Sequence, residues 1–459
     1  MTLQVALVAR LMVAMAAWNR FPPADDGVYY DKLAHRLAAG LGYTWSWPDG
    51  TVTPVAHYPV GYPALLAAAY RAMGDQVASA IVMNAIIGAI GAAAVHTVCG
   101  WGSSRRAARW AGLAVALHPG LLAYTPALMT EGVCAALLAL PFAAALAGRA
   151  ATTRRQYVLW LVAGALLGAT ALVRPQALLL VPFVAWLAGK GGWRARGAAA
   201  VLVIAGTAMA LLPWSLRNEQ AFRRPLVVSA NSGWNLLIGT EPTAQGHWKP
   251  LEAPPECLEV WEEAAKDACF GAAARARIAH HPLGWLALVP SKLAATFDYS
   301  GSGTSYLSRA RPDLVPQWAV YAAGTVETVF SRSCVAVSLV LVGFAPGKWR
   351  PLRRMLAAGA MLFLLTPYAW ASFVGLAAIL GATGRRRLEE EPVWGIAFGV
   401  LGSTLVTHAV FFGASRYALV VQPWTAALAF LALPGMLPPR VLIPLRRLRA
   451  RVLGAGGRP

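Results

Sequence analysis

Long apolar runs separated by short polar turns dominate the chain. A helix that crosses a bilayer needs about 20 mostly apolar residues. Runs of that kind fall at approximately 2–18, 77–99, 107–124, 131–148, 157–173, 175–189, 198–214, 329–345, 393–412 and 418–436. The stretch 353–383 is also apolar, with Pro367 near its middle, and fits either one overlong kinked helix or a hairpin of two short ones. Two intervals, about 19–76 and 215–328, hold no clean span and are rich in Trp, Tyr, Pro and Gly. Within them, 58–73 and 282–297 are apolar but short or broken, as suits helices lying in the membrane interface. Arg10 interrupts the first run, and Phe21-Pro22-Pro23 follow it where a signal-peptide cleavage site would want small residues. That run is therefore read as a retained first span, with Arg10 snorkelling or facing the bundle.

Composition fixes the solvent. The chain is 58% hydrophobic and 13% charged, against about 45–50% apolar and about 25% charged in soluble domains. A water-soluble enzyme is excluded. The net charge of +20 would suggest nucleic acid in a soluble protein, but here the basic residues cluster in the turns between apolar runs. Such clusters stand at Arg105/Arg106/Arg109, Arg149/Arg154/Arg155, Lys190/Arg194/Arg196, Lys348/Arg350/Arg353/Arg354 and Arg385/Arg386/Arg387, with more arginines after Arg440. They mark cytoplasmic loops and put both chain ends inside. Parity then asks for two crossings in 353–383, favouring the hairpin. The expectation is an all-α polytopic membrane protein of about 11–13 transmembrane helices, without nucleic acid as a partner.

Three regions follow: a membrane module at 1–214 with a first outer loop at 19–76, a large outer loop at 215–328, and further spans with a basic tail at 329–459. Cys257 and Cys269 are the two cysteines of the second outer loop, and an oxidising compartment would allow them to pair. No phosphate-binding GxxxxGK[ST] loop, no GxGxxG between strand and helix and no HExxH occurs.

The polar groups with chemical potential stand at outer ends of spans. Asp25-Asp26 follow the first span directly; mutual repulsion would raise one carboxyl toward the range of a proton acceptor. Either could instead cap the helix expected from about residue 28. Thr130-Glu131 opens a span, where Thr130 could cap and Glu131 is favoured by the helix dipole. Arg174, Arg217 and Arg416 stand at outer helix ends, against the rule that places basic residues inside. Each has a plain account as an interfacial anchor. Together, opposite an acidic loop, they suggest an anion such as a lipid phosphate, which guanidinium binds bidentately.

Several motifs in order carry a resemblance: Asp26-x3-Tyr30-x3-Ala34, Gly40-Leu41-Gly42-Tyr43, His57-Tyr58-Pro59-Val60-Gly61-Tyr62-Pro63, His118-Pro119, Thr130-Glu131, Arg174-Pro175, Trp214-x2-Arg217-Asn218, Asn231 to Thr240, and Arg416-Tyr417. In these the chain resembles the polytopic GT-C glycosyltransferases, near bacterial relatives of the protein O-mannosyltransferases and the lipid A aminoarabinose transferase of glycosyltransferase family 39. The likeness is weak over 245–390. Family members often carry Asp-Glu where this chain has Asp25-Asp26.

The resemblance implies a GT-C fold and inverting transfer of a sugar from a polyprenyl-phosphate donor to an acceptor on the non-cytoplasmic face, in a bacterial inner membrane. The acceptor class stays open among protein, lipid A, another glycolipid and a polymer. Asp26 would be the base and Asp25 would assist, or the two would help hold a divalent cation if one is used. Arg174, Arg217 and Arg416 would bind the donor phosphate, with Tyr30, His57, Tyr62, Glu131, Asn218 and Tyr417 lining the cavity. The alternative is a transporter or flippase of lipid-linked sugars, which would place ionisable groups near the bilayer midplane.

Overall fold

A computed structural model describes residues 1–241, 243 and 245–431. The described residues are mainly helical, and among them six helices are long and apolar enough to cross a bilayer: Val77–Cys99, Thr130–Ala150, Arg154–Val173, Trp193–Phe222, Gln317–Phe344 and Pro392–Val410. The protein is a multi-pass membrane protein. Other expected spans are shorter helices: Thr2–Ala17, Pro175–Ala188 and Trp370–Ala382. The expected span at 107–124 is corrected. It breaks at Leu117-His118 into Arg105–Ala116 and the five-residue helix Pro119–Ala123. Pro119, at the first position of the second helix, has no backbone N–H to continue the ladder.

The stretch 353–383 is a hairpin, Arg350–Phe363 followed by Trp370–Ala382, turning through a segment that contains Pro367. The run at 418–436 begins as a 3-10 turn, Ser415–Val420, and continues as Gln422–Leu431. The rest of that run and the basic tail lie outside the described residues. In the first outer interval stand Gly27–Ala38 and Gly61–Met73, with a small antiparallel hairpin, Thr44–Ser46 against Val52–Pro54, that periodicity did not signal. The second holds Glu263–His280, tied by the Cys257–Cys269 disulfide, then Pro282–Ala287, Val289–Phe297 and Ser302–Ala310. Alkylation of the intact protein should leave both bridged thiols unmodified until reductant is added, and labelling without reductant would show the bridge absent.

Small residues let the spans approach closely. Arg154–Val173 packs on Trp193–Phe222 with Gly164 against the Val203 carbonyl and Gly206 against the Leu161 carbonyl, where a Cβ on either would strike backbone. Gly206→Ala should therefore lower thermal stability in detergent by about 1–3 kcal/mol; an unchanged unfolding midpoint would contradict the contact. Arg10 faces inward and is 3% exposed. Its Nη1 donates to the Ala116 carbonyl at 2.8 Å, a cation at the C-terminal end of Arg105–Ala116 that meets carbonyls the helix leaves unpaired.

Candidate functional site

Two chain neighbours at the start of the first loop go to different partners. Asp25 has a left-handed φ of 51°, a conformation that aspartate tolerates better than most residues. Its carboxylate is held in a fork by Arg309, with Nη2 to Oδ2 at 2.6 Å and Nε to Oδ1 at 3.0 Å. Asp26 occupies the N-cap position of Gly27–Ala38 but makes no side-chain cap bond. Its Oδ2 instead accepts from Arg416 Nη2 at 3.2 Å, and its Oδ1 accepts from the Tyr58 hydroxyl at 3.4 Å.

Glu131 lies in the first turn of its span and is 1% exposed. Helix polarity favours a carboxylate there, but burial at that depth is tolerable only with strong partners. Three are present. Arg174 Nη1 donates to Oε1 at 2.8 Å, the Tyr124 hydroxyl donates to Oε2 at 2.9 Å, and Arg416 Nε stands 3.3 Å from Oε1. Arg174 Nη1 also reaches Thr130 Oγ1 at 2.9 Å, so the Thr130 hydroxyl accepts from a guanidinium and does not cap the helix. Asp26, Arg416, Glu131 and Arg174 thus form one continuous ionic chain across four separate elements.

Tyr417 underlies both guanidinium groups, with its ring centroid 5.0 Å from Arg174 and 5.3 Å from Arg416. His408 stacks on that ring at 4.3 Å and is fixed by the Phe412 carbonyl. Among the described residues, Arg416 Nη1 and the Nε and Nη2 of Arg174 make no hydrogen bond to a protein acceptor. The cluster therefore has two guanidinium groups held rigidly with donors to spare.

The other expected residues divide. Tyr30 packs edge-on against Tyr58 and Tyr62, at 5.1 and 5.4 Å, directly behind Asp26. The Tyr62 hydroxyl donates to Asn84 Oδ1 at 3.2 Å, inside the bundle. His57 lies against Tyr58 and Trp234, and burial lowers its pKa, which keeps it neutral at pH 7. Its backbone N–H donates to Glu263 Oε2 at 2.9 Å. Arg217 does not join the ionic chain. It donates to the Val55 carbonyl at 2.8 Å and the Tyr43 carbonyl at 2.5 Å, and lies 4.9 Å from the Trp214 ring. Asn218 is fully buried and donates to the Leu226 carbonyl. Arg217 clips the first outer loop to the end of Trp193–Phe222, and Asn218 ties that helix end to the segment that follows it. Arg217→Ala should lower the unfolding temperature and leave the KM for a phosphate-bearing ligand within about twofold; a larger KM change would restore it to the site.

The shared-cation expectation for Asp25 and Asp26 meets two facts. Asp25 is engaged by Arg309, and among the described residues no three His, Cys, Asp or Glu side chains converge. Tyr58, Tyr124 and Arg309 are site-forming residues that sequence reasoning did not select. Tyr58 was visible within the His57–Pro63 motif. Tyr124 and Arg309 carried no local signal, because their roles come from contacts 7 and 284 positions away.

No family model and no curated protein matches the chain. Solved structures do. The oligosaccharyltransferase of Archaeoglobus fulgidus in its apo form is similar at 13% identity and a TM-score of 0.48, covering 100% of this chain and 52% of that one. The same organism's oligosaccharyltransferase AglB, in complex with an inhibitory peptide and a dolichol-phosphate, gives 14% identity and 0.46 over 100% and 52%. ArnT from Cupriavidus metallidurans bound to undecaprenyl phosphate gives 14% and 0.39 over 93% and 76%. The chain spans about half the length of the two archaeal structures. Side-chain geometry, not these similarities, carries the functional reading.

Proposed function

We propose that the protein is a membrane glycosyltransferase of the GT-C type that moves a sugar from a polyprenyl-phosphate donor to an acceptor on the non-cytoplasmic face. The observation that carries this reading is Arg416, which touches the carboxylates of both Asp26 and Glu131 while Arg174 shares Glu131. A base and two phosphate-binding forks belong to one assembly.

Chemistry follows from that arrangement. The acceptor hydroxyl oxygen attacks the anomeric carbon, with inversion, as the bond from that carbon to the phosphate oxygen breaks. The hydroxyl proton goes to Asp26. The electron pair leaves with the polyprenyl phosphate, whose growing charge meets the free N–H groups of Arg174 and Arg416. Preset positive groups of this kind contribute several kcal/mol to barrier reduction. Arg416 also couples the two ends: a phosphate that draws its guanidinium away weakens its hold on Asp26 and frees that carboxylate to accept a proton. Glu131 keeps the two arginines together, because side by side without it they would repel.

Sidedness rests on the same helices. Glu131 opens Thr130–Ala150 and Arg149 is at its far end, while Arg154 and Arg155 open the helix that leads to Arg174. At 1.5 Å per residue the basic ends stand roughly 27 Å from the ionic chain, about one bilayer core. With the basic ends read as cytoplasmic, this separation supports a site on the outer face. A transporter would need its ionisable groups near the midplane, and these are at span ends.

The test is a panel of polyprenyl-phosphate sugars incubated with purified protein and candidate acceptors. Release of free polyprenyl phosphate from one donor is expected. A lipid that is bound or moved across a vesicle but never cleaved would overturn the reading in favour of transport.

A further inference from the structure

A cleft lies away from the ionic chain, at the basic end of the helices. It has a volume of about 570 Å³ and runs between Val181–Ala188 and Trp193–Phe222. Val181, Ala185, Ala200 and Ile204 give it apolar walls. Ile204 is 55% exposed although it lies well inside a spanning helix, so the cleft opens sideways to hydrocarbon. At a helical rise of about 1.5 Å per residue, the trough from Arg196 to Ile204 is roughly 12 Å long.

Its mouth is charged. Arg196 and Arg385 line it together with Trp186, and Glu389, on the short helix Arg385–Glu390, ties the three together. Glu389 Oε1 accepts from the Trp186 indole at 2.9 Å, from Arg196 Nη1 at 3.0 Å and from Arg385 Nε at 3.0 Å, while Oε2 accepts from Arg196 Nη2 at 3.3 Å. This fixes both guanidinium groups without neutralising them, because two cations against one carboxylate leave one positive charge. Glu390 and Glu391 do not offset it, being paired with Arg386 and Arg387. Among the described residues Arg385 Nη1 and Nη2 have no protein acceptor, and they form a fork of the kind that matches phosphate. An apolar trough that opens to lipid and ends in one uncompensated positive charge suits a ligand with a hydrocarbon tail and one negative charge.

We infer that this cleft binds one anionic phospholipid with a monoanionic phosphodiester headgroup, phosphatidylglycerol being the simplest case, from the leaflet at the basic end. The phosphate meets the Arg385 fork beside Arg196, and one acyl chain lies along the trough toward Ile204. Basic pockets between spans recognise anionic headgroups in this way, and a Trp with a bonded indole N–H suits the interface between headgroup and tail. A zwitterionic lipid offers the same tail, but its ammonium brings another cation to the two arginines. The occupant is a ligand of the scaffold, separate from the donor that the ionic chain would take.

Thermal unfolding of the full-length protein in neutral detergent, stripped of lipid and titrated with phosphatidylglycerol or phosphatidylcholine, tests this together with the lipid count per chain from native mass spectrometry. One retained phosphatidylglycerol and a higher unfolding temperature are expected, with little response to phosphatidylcholine. Arg385→Gln removes the fork and should raise the half-saturating concentration about fivefold, the usual effect of one basic side chain at an anionic surface. Arg386→Gln is the matched control: it removes the same charge one residue along, from a side chain that is 91% exposed, pairs with Glu390 and does not line the cleft. It should leave binding unchanged. Ile204→Trp fills the trough without altering charge and should also weaken retention; unchanged retention would overturn the placement of the tail. Equal responses of the wild type to both lipids would overturn the headgroup assignment, whether or not any variant folds. Equal effects of the two arginine variants would reduce the preference to general charge attraction and overturn the site. No readout depends on sugar transfer, so failure here and failure of the transferase reading are separable.

Discussion

Asp26→Asn should reduce sugar transfer by a factor of about 10²–10⁴, the range supplied by a positioned general base, while the protein stays inserted and folded. The amide can still accept from the Tyr58 hydroxyl that now meets Oδ1, but it cannot take a proton from the acceptor. Asp25→Asn is the matched control. Its carboxylate faces Arg309, which is half exposed, and exposed pairs of this kind are worth about 1 kcal/mol or less. Turnover should fall by only a few-fold. Steady-state rates of the two variants against wild type, with helicity checked by circular dichroism, decide the matter. Equal losses in both, or normal turnover by Asp26→Asn, would remove Asp26 as the base.

Arg416→Ala should lower kcat/KM for the lipid donor by about 10²–10³, the usual cost of removing one preset donor to a developing oxyanion. Dependence on the acceptor should barely change. Arg416→Lys should recover only part, because an ammonium keeps the charge and loses the fork. Loss of structure is not expected to confound the measurement. Glu131 keeps its bonds from Arg174 and Tyr124 at 2.8 and 2.9 Å when Arg416 is removed. Donor and acceptor titrations of both variants provide the check. A loss confined to the acceptor KM would place the phosphate elsewhere.

Much of the membrane architecture was legible, because the bilayer imposes length and polarity on each crossing. Val77–Cys99 matches the apolar run 77–99 at both ends, and the hairpin in 353–383 followed from charge parity around Pro367. Reading failed where local chemistry overrides a continuous apolar run. His118-Pro119 divides the apolar run 107–124, which hydropathy alone reads as one span. The short strands around Trp45 and Thr53 are too brief for a period-two signal to stand out.

The site was legible by type and less so by partner. Position at span ends singled out Asp26, Glu131, Arg174 and Arg416, and the structure brings all four together. The same criterion selected Arg217, whose donors go to the carbonyls of Tyr43 and Val55. Placement along the chain shows that an arginine is at the outer end, but not which acceptor it faces. Capping and catalysis were both open for Asp26 from the sequence; its side chain makes no cap bond and meets Arg416 instead, which speaks against capping.

The central claim is one donor pocket on the non-cytoplasmic face, shared by the first outer loop and the turn before the last described helix. Single cysteines at Tyr29, one helical turn from Asp26, and at Ser415, beside Arg416, test it without touching the acid or the arginines. In sealed right-side-out vesicles, a membrane-impermeant thiol reagent should label both positions, and a polyprenyl-phosphate sugar should slow labelling at both. Labelling from opposite faces of the membrane, or protection at neither position by any such lipid, would contradict it.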